Sequence, residues 1–235
     1  SYFFYFHFSK IQNSLTTKYY LCPMRLLLYL LSIIYGVVTN LRNSLFDYDI
    51  LKSKTHNIPI ICIGNISVGG SGKTPHTNYI AKLLSPSYKV AIISRGYGRK
   101  SSGFNYVELD SATSVVGDEP LQLKHNNSNC IVAVNNNRNN GVKKILIDHP
   151  ATNVILLDDG FQHRRIKAGL NIIVTPFYKL FTEDNLLPLG TLRESINEAR
   201  RADIILVSKT PEHTKPIAKK GVIESLNLKA NQKGY

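Results

Sequence analysis

The chain has 235 residues, 43% hydrophobic and 19% charged, with a formal net charge of +13. This composition excludes a disordered or low-complexity chain and is enough for one well-buried core. The basic excess suits nucleic acid, an anionic membrane or a phosphorylated substrate; with no RNA-binding aromatic signature, zinc-finger spacing or recognition-helix motif, nucleic acid is set aside.

The chain opens with a segment whose composition differs sharply from the rest. Met24 is the only methionine, and residues 1–23 are read as an extension upstream of the natural start. From Met24 the sequence runs "MRLLLYLLSIIYGVVTNLRN". Its uninterrupted apolar part, Leu26 to Val38, is about 13 residues, short of the ~20 that a spanning helix needs. No A-x-A cleavage site follows. Residues 1–46 hold no Asp or Glu, and Arg25 and Arg42 flank the apolar run. The pattern predicts a helix over 24–45 lying in a membrane interface with basic ends near anionic lipid; the alternative is a buried helix of the main domain.

"IPIICIGN" at 58–65 reads as a buried parallel strand. The loop "SVGGSGKTP" at 67–75 follows, then a helix in "TPHTNYIAKLL" with Ile80, Leu83 and Leu84 at helical spacing. Pro75 is tolerated in its first turn, where no carbonyl awaits the missing N–H. "KVAIISRGYGRK", "CIVAVNNN", "NVILLDDGFQHRR", "LNIIVTP" and "ADIILVSKTP" supply further strands. Helix-length spacing between them predicts an α/β fold, a P-loop NTPase-like α/β/α sandwich with a mostly parallel sheet, over residues 46–210. Cys22, Cys62 and Cys130 are widely separated, which indicates neither a disulfide framework nor a thiolate metal site.

The strand–loop–helix setting gives "GGSGKT" its meaning. Gly69, Gly70 and Gly72 allow the backbone to turn its N–H groups inward around Ser71, toward phosphate oxygens. The following helix adds its positive end. Lys73 reaches the β- and γ-phosphates of a nucleotide and Thr74 offers its hydroxyl to Mg²⁺. Ser67 stands where the usual pattern has Gly, a departure in turn geometry more than in chemistry. Such a loop needs an acid at the end of a neighbouring strand. Asp158 and Asp159 of "VILLDDG" answer that need at the sheet edge where α/β folds bind ligands, the alternative being a helix cap. Asp118 and Glu119 in "VGDEP" suit either a helix N-terminus or a base beside the γ-phosphate. Gln162 and His163 follow the acid pair, and His163 alone suits a structural role. Arg193 and Glu194 close "LLPLGTLRE" without an assignment from the residues themselves.

Together "GNISVGGSGKTP", "SRGYGRK", "GDEP", "LLDDGFQHRRIK" and "LLPLGTLRE", in this order, resemble the tetraacyldisaccharide 4'-kinase family of lipid A biosynthesis from about Met24 to about Thr210. The resemblance extends to the short apolar N-terminal helix and to the atypical loop with Ser67. It implies ATP- and Mg²⁺-dependent phosphoryl transfer to the 4'-hydroxyl of an acylated glucosamine disaccharide 1-phosphate, at the cytoplasmic face of a bacterial inner membrane. On the matching positions it implies that Lys73 and Thr74 serve ATP and Mg²⁺, with Ser71 lining the loop. Asp118 matches the catalytic base with Glu119 beside it, and His163 is placed with them. Asp158, Asp159 and Glu194 are placed on the metal side, and Tyr97, Arg138, Gln162 and Arg193 toward substrate or nucleotide. The family carries a second, smaller α/β domain that contributes a His to the base. Residues 211–235 are read as its incomplete start, the chain as C-terminally truncated, and the activity of this form as open. Two rival functions stand beside this one: another P-loop small-molecule kinase, and a membrane-associated nucleotide switch.

Overall fold

The computed structural model describes residues 23–235, so the readings of residues 1–22 and of Cys22 lie outside the described residues. Helix α1 (Pro23–Asp47) precedes an eight-stranded sheet. The strands are β1 (Ile60–Gly64), β2 (Val90–Ser94), β3 (Asn105–Tyr106), β4 (Ile131–Val134), β5 (Val154–Asp158), β6 (Leu170–Pro176), β7 (Ile204–Ser208) and β8 (Lys233–Gly234). They lie in the order β3-β4-β2-β5-β1-β6-β7-β8. Every pairing is parallel except β3 with β4. The crossovers include α2 (Lys73–Leu84), α3 (Thr113–Val116), α4 (Asp118–Asn126), α5 (Arg138–Asp148) and α6 (Pro216–Ser225).

The six expected strands all form, because each is an apolar run that a two-sided sheet can bury completely. Alternate residues feed two cores. Ile93, Ile155, Leu157 and Ile173 pack with Val142 and Ile145 of α5 on one face. Ile63, Ile92, Val132 and Leu156 pack with Ala81 of α2 and Leu123 of α4 on the other. Each such side chain contributes about 1.5–3 kcal/mol by leaving water. Within α2 the expected apolar face is narrower than its sequence suggests: Leu83 is 65% exposed, while Thr77 and Ala81 are buried. Within residues 211–235, α6 precedes the edge strand β8, which pairs in parallel with β7 and sets Ile205 opposite Gly234.

Helix α1 packs the reverse of a soluble helix. Ser32, Gly36, Asn43 and Phe46 are buried, a stripe recurring at three- and four-residue steps. Leu26, Leu27, Leu30, Leu31, Ile33, Ile34, Val37, Val38 and Leu41 are exposed. The small and polar stripe faces the protein and the leucine face points outward. The helix also runs beyond the expected 24–45, and by length and composition alone it is apolar enough to cross a membrane.

Candidate active site

The loop after β1 leaves the sheet centre between β5 and β6, where crossovers depart to opposite sides and α/β folds open a crevice. Gly69 (φ 112°) and Gly72 (φ 87°) take backbone conformations that side chains resist. Gly72 is the N-cap of α2, so Lys73 and Thr74 open that helix with their N–H groups toward the loop. A side chain added at Gly69 would meet nothing within 4 Å, which marks an open cradle. Ser71 is buried, its Oγ has no hydrogen-bond partner, and its carbonyl accepts from Ser208 Oγ at 2.7 Å.

The two acids after β5 part company. Asp158 is 1% exposed and accepts hydrogen bonds from Thr77 Oγ1 (3.0 Å) and Ser94 Oγ (3.2 Å). Burial pushes its carboxyl up to about 6, with the neighbouring Asp159 and Glu119 charges acting in the same direction. Asp159 sits at φ 49°, a conformation uncommon for a non-glycine residue. Its carboxylate faces the loop, 3.6 Å from Lys73 Nζ and 3.1 Å from Arg193 Nη1. A carboxylate between two cations at the mouth of a phosphate cradle is chemically suited to Mg²⁺ and a triphosphate. With Thr74 in the first turn of α2 and the buried Ser71 hydroxyl left without a partner in the loop, the residues present fit that pair of groups. Among the described residues no group of three or more His, Cys, Asp or Glu gathers for a metal. That agrees with Mg²⁺ bound through one or two side chains plus phosphates.

The acidic loop comes next to the arginine loop by close backbone contact. A side chain at Gly117 (φ 90°) would meet the Tyr97 carbonyl at 2.9 Å, and one at Gly96 (φ 69°) the Val116 carbonyl at 2.8 Å. Lys100 N donates to Ser114 O (2.7 Å) and Ser101 Oγ to Val115 O (2.5 Å). Asp118 and Glu119 are therefore exposed in the first turn of α4, next to Tyr97, which is 87% exposed.

A cavity of about 490 Å³ is lined by Arg42, Arg95, Asn136, Arg138, Gln162, His163, Arg164 and Arg165, among others. Arg138 is 2% exposed, donates to Asn135 O at 2.5 Å, and is pulled down to about 10 by burial. His163 falls to about 4, through burial first and then through Arg138, Arg95 and Arg42. Its imidazole is neutral at pH 7, in the wall of the basic cavity.

Two of the expected site residues are engaged with other protein groups. Glu194, placed on the metal side, is 2% exposed and pairs with Arg201 and, at 3.7 Å, with Arg42. It is engaged away from the loop, at a bend that turns it toward Arg201. Arg193 goes to Asp159 and Glu194 goes the other way. Gln162, expected to face substrate, donates to Asn65 O at 2.7 Å while its Oε1 lies 3.5 Å from Arg193 Nη1. It braces Arg193. The residues that sequence reasoning missed are Thr77, Ser94, Arg42, Arg95 and Lys209. Lys209, at φ 56°, donates to Gly70 O at 2.6 Å and lies over the Tyr178 ring. Its signal was available: it follows β7 directly, at the strand end where ligands bind.

The sequence of residues 24–234 matches the family model described as Tetraacyldisaccharide-1-P 4'-kinase. Tetraacyldisaccharide 4'-kinase from Bacteroides thetaiotaomicron is 47% identical over 209 residues, 88% of this chain and 55% of the relative. The same-named protein of Flavobacterium psychrophilum is 45% identical over 210 residues, 89% of this chain and 61% of the relative. The chain thus spans a little over half the length of the curated relatives it matches. A crystal structure of LpxK from Aquifex aeolicus, described as the apo form in complex with ATP, superposes with a TM-score of 0.74 at 37% identity. That match covers 82% of this chain and 62% of the other. With motif order, fold and loop geometry in agreement along nearly all of the described residues, the chain belongs to the tetraacyldisaccharide-1-P 4'-kinase family.

Proposed function

We propose that the protein transfers the γ-phosphoryl group of ATP to the 4'-hydroxyl of a tetraacylated glucosamine disaccharide 1-phosphate in lipid A synthesis. The observation that carries this is the Lys73–Asp159–Arg193 array at the mouth of the glycine loop. The acceptor oxygen bonds to the γ-phosphorus, the bond to the β-bridging oxygen breaks, ADP leaves, and the hydroxyl proton passes to a carboxylate. Asp118 suits that last role, since it is exposed at a helix start beside the Gly96–Tyr97 turn. Lys73 and the N-terminus of α2 neutralise phosphate charge in place, which is most of what phosphoryl transfer requires. Mg²⁺, when bound, adds charge neutralisation between the phosphates; Thr74 and Asp159 would hold it, with Asp158 behind them.

The acceptor and its location are supported by two features. The basic cavity beside the site suits the 1-phosphate of an anionic headgroup, with Arg42 and Arg95 in its wall. Arg42 belongs to α1, whose outward face is leucine and isoleucine. Because Ser32, Tyr35 and Asn43 tie its length to the body, only one side of α1 is available to lipid. That supports a helix lying in the interface of the inner membrane, on the cytoplasmic side where ATP is supplied.

The test is transfer from γ-labelled ATP to the disaccharide 1-phosphate acceptor by the complete protein. Lys73→Ala and Asp118→Ala each lower turnover by about two or more orders of magnitude. Wild-type turnover in either variant removes that residue from the assignment, and no labelled lipid from the parent protein ends the proposal.

A further inference from the structure

One short segment links the apolar helix to the nucleotide loop. Residues 186–193 lie between them with hydrogen bonds on both sides. On the loop side, Val68 N donates to Thr191 O (2.7 Å), Arg193 N to Ile66 O (2.7 Å), and Ser67 bridges Leu192 in antiparallel register. On the helix side, Ser32 Oγ donates to Leu186 O (3.0 Å) and Tyr35 Oη to Arg193 O (2.8 Å). Gly36 lies against Leu186 so closely that an added side chain would come within 2.8 Å of it. Arg42, one turn and a half further along, donates to Gln162 O at 2.9 Å. Beside Lys73, Arg193 holds Asp159, and Gln162 holds Arg193: Arg193 Nη1 lies 3.1 Å from the carboxylate and 3.5 Å from the Gln162 amide oxygen. Tyr35 and Arg42 of α1 therefore hold the backbone of the two residues, Arg193 and Gln162, whose side chains meet beside the metal-side carboxylate.

We infer that Tyr35 is a positioning residue for the metal-side carboxylate, acting through the Arg193 carbonyl on the Arg193–Asp159 contact, so that seating of α1 tunes Mg²⁺-dependent nucleotide binding. This rests on the reading of the loop as an ATP site. The phenol touches neither nucleotide nor acceptor. Its hydroxyl fixes the backbone from which Arg193 reaches, and a small shift there moves the guanidinium relative to Asp159. The same helix that meets lipid on one face thereby sets the charge geometry of the nucleotide site with the other, and the two faces are coupled by contiguous hydrogen bonds.

The experiment titrates Mg²⁺ into the complete protein with a fluorescent ATP analogue, for the parent, Tyr35→Phe, Arg193→Gln and the double variant. Tyr35→Phe keeps the ring and loses only the hydroxyl, so the unfolding midpoint falls by no more than a few degrees while sedimentation with anionic phospholipid vesicles stays at the parent value. The Mg²⁺ concentration for half-saturation rises about three- to tenfold, the scale of one lost hydrogen bond. In the Arg193→Gln background, Tyr35→Phe adds nothing, because the residue through which it acts is gone. An unchanged Mg²⁺ dependence in Tyr35→Phe overturns the inference, and so does a full additive effect in the double variant. A parent protein that binds no nucleotide with Mg²⁺ overturns the proposed function, and this inference with it. Binding in the parent with no change in Tyr35→Phe overturns the inference alone.

Discussion

Asp158 and Asp159 are adjacent in sequence and opposite in surroundings. Asp158 turns under α2 to Thr77 and Ser94, and burial lifts its carboxyl from the ordinary 3.8 to about 6. Folding therefore favours its protonated form. That stabilisation is complete below pH 3.8 and is lost as pH rises through about 6, above which a buried carboxylate costs on the order of 2 kcal/mol. Asp158→Asn consequently raises the thermal midpoint at pH 8 by a few degrees and leaves it unchanged near pH 4, measured by calorimetry; the same change weakens Mg²⁺-dependent nucleotide binding. His163 has the opposite sign. Its depressed value means that full stability is present above 6.5 and is lost as pH falls toward about 4. At this scale the sequence announced Lys73, Thr74 and the acid pair, because glycines, a strand and a helix start make an explicit pattern. It did not show that Arg193 faces the loop while Glu194 turns to Arg201. Which of two adjacent residues faces a ligand depends here on the local bends of a segment without a hydrophobic period of its own.

Helix α1 is the element whose character the sequence concealed. A run of leucines and isoleucines gives no clue that Ser32, Gly36 and Asn43 form the inward stripe. Short polar groups face inward because the helix packs on carbonyls at 186 and 193, not on a hydrophobic core. Its C-terminal half is fastened by charge. Arg164 donates to Asn43 O (2.9 Å) and Asp47 (2.6 Å), lies over the Phe46 ring at 5.1 Å, and stands 3.7 Å from Glu198, which is 5% exposed. Removing Arg164 forfeits these hydrogen bonds and the ring contact, while Glu198 keeps Arg201 at 2.9 Å and Asp47 keeps Arg200, a loss of about 1–3 kcal/mol. Arg164→Ala therefore destabilises the helix end by that amount. Hydrogen exchange shows faster opening across residues 40–47 than in the sheet, whose amides keep their protection. Equal loss of protection in β1 and β5 would contradict this local assignment.

For the whole molecule, charge and apolar surface act together on the same partner. On the proposed function, a net charge of +13 would draw the protein to an anionic leaflet, and the exposed face of α1 would hold it there. Sedimentation with anionic vesicles therefore weakens as salt rises from about 0.05 to 0.5 M but does not vanish, since apolar insertion is not screened. Ile34→Ser with Val38→Ser removes the salt-resistant part; binding that disappears entirely in salt would deny the helix its role. The architecture was readable because each apolar run is long enough for one buried strand. Strand order, and the two-residue strands β3 and β8, were not, since pairing partners are fixed by tertiary fit and so short a strand has no period. The lengthwise attachment of α1 has a last consequence. Under the proposed function, a protein fixed flat on a leaflet would meet its acceptor by lateral diffusion, without lifting the acyl tails into water. Turnover is then governed by the mole fraction of acceptor among the lipids and not by its amount per volume, so inert lipid acts as a diluent.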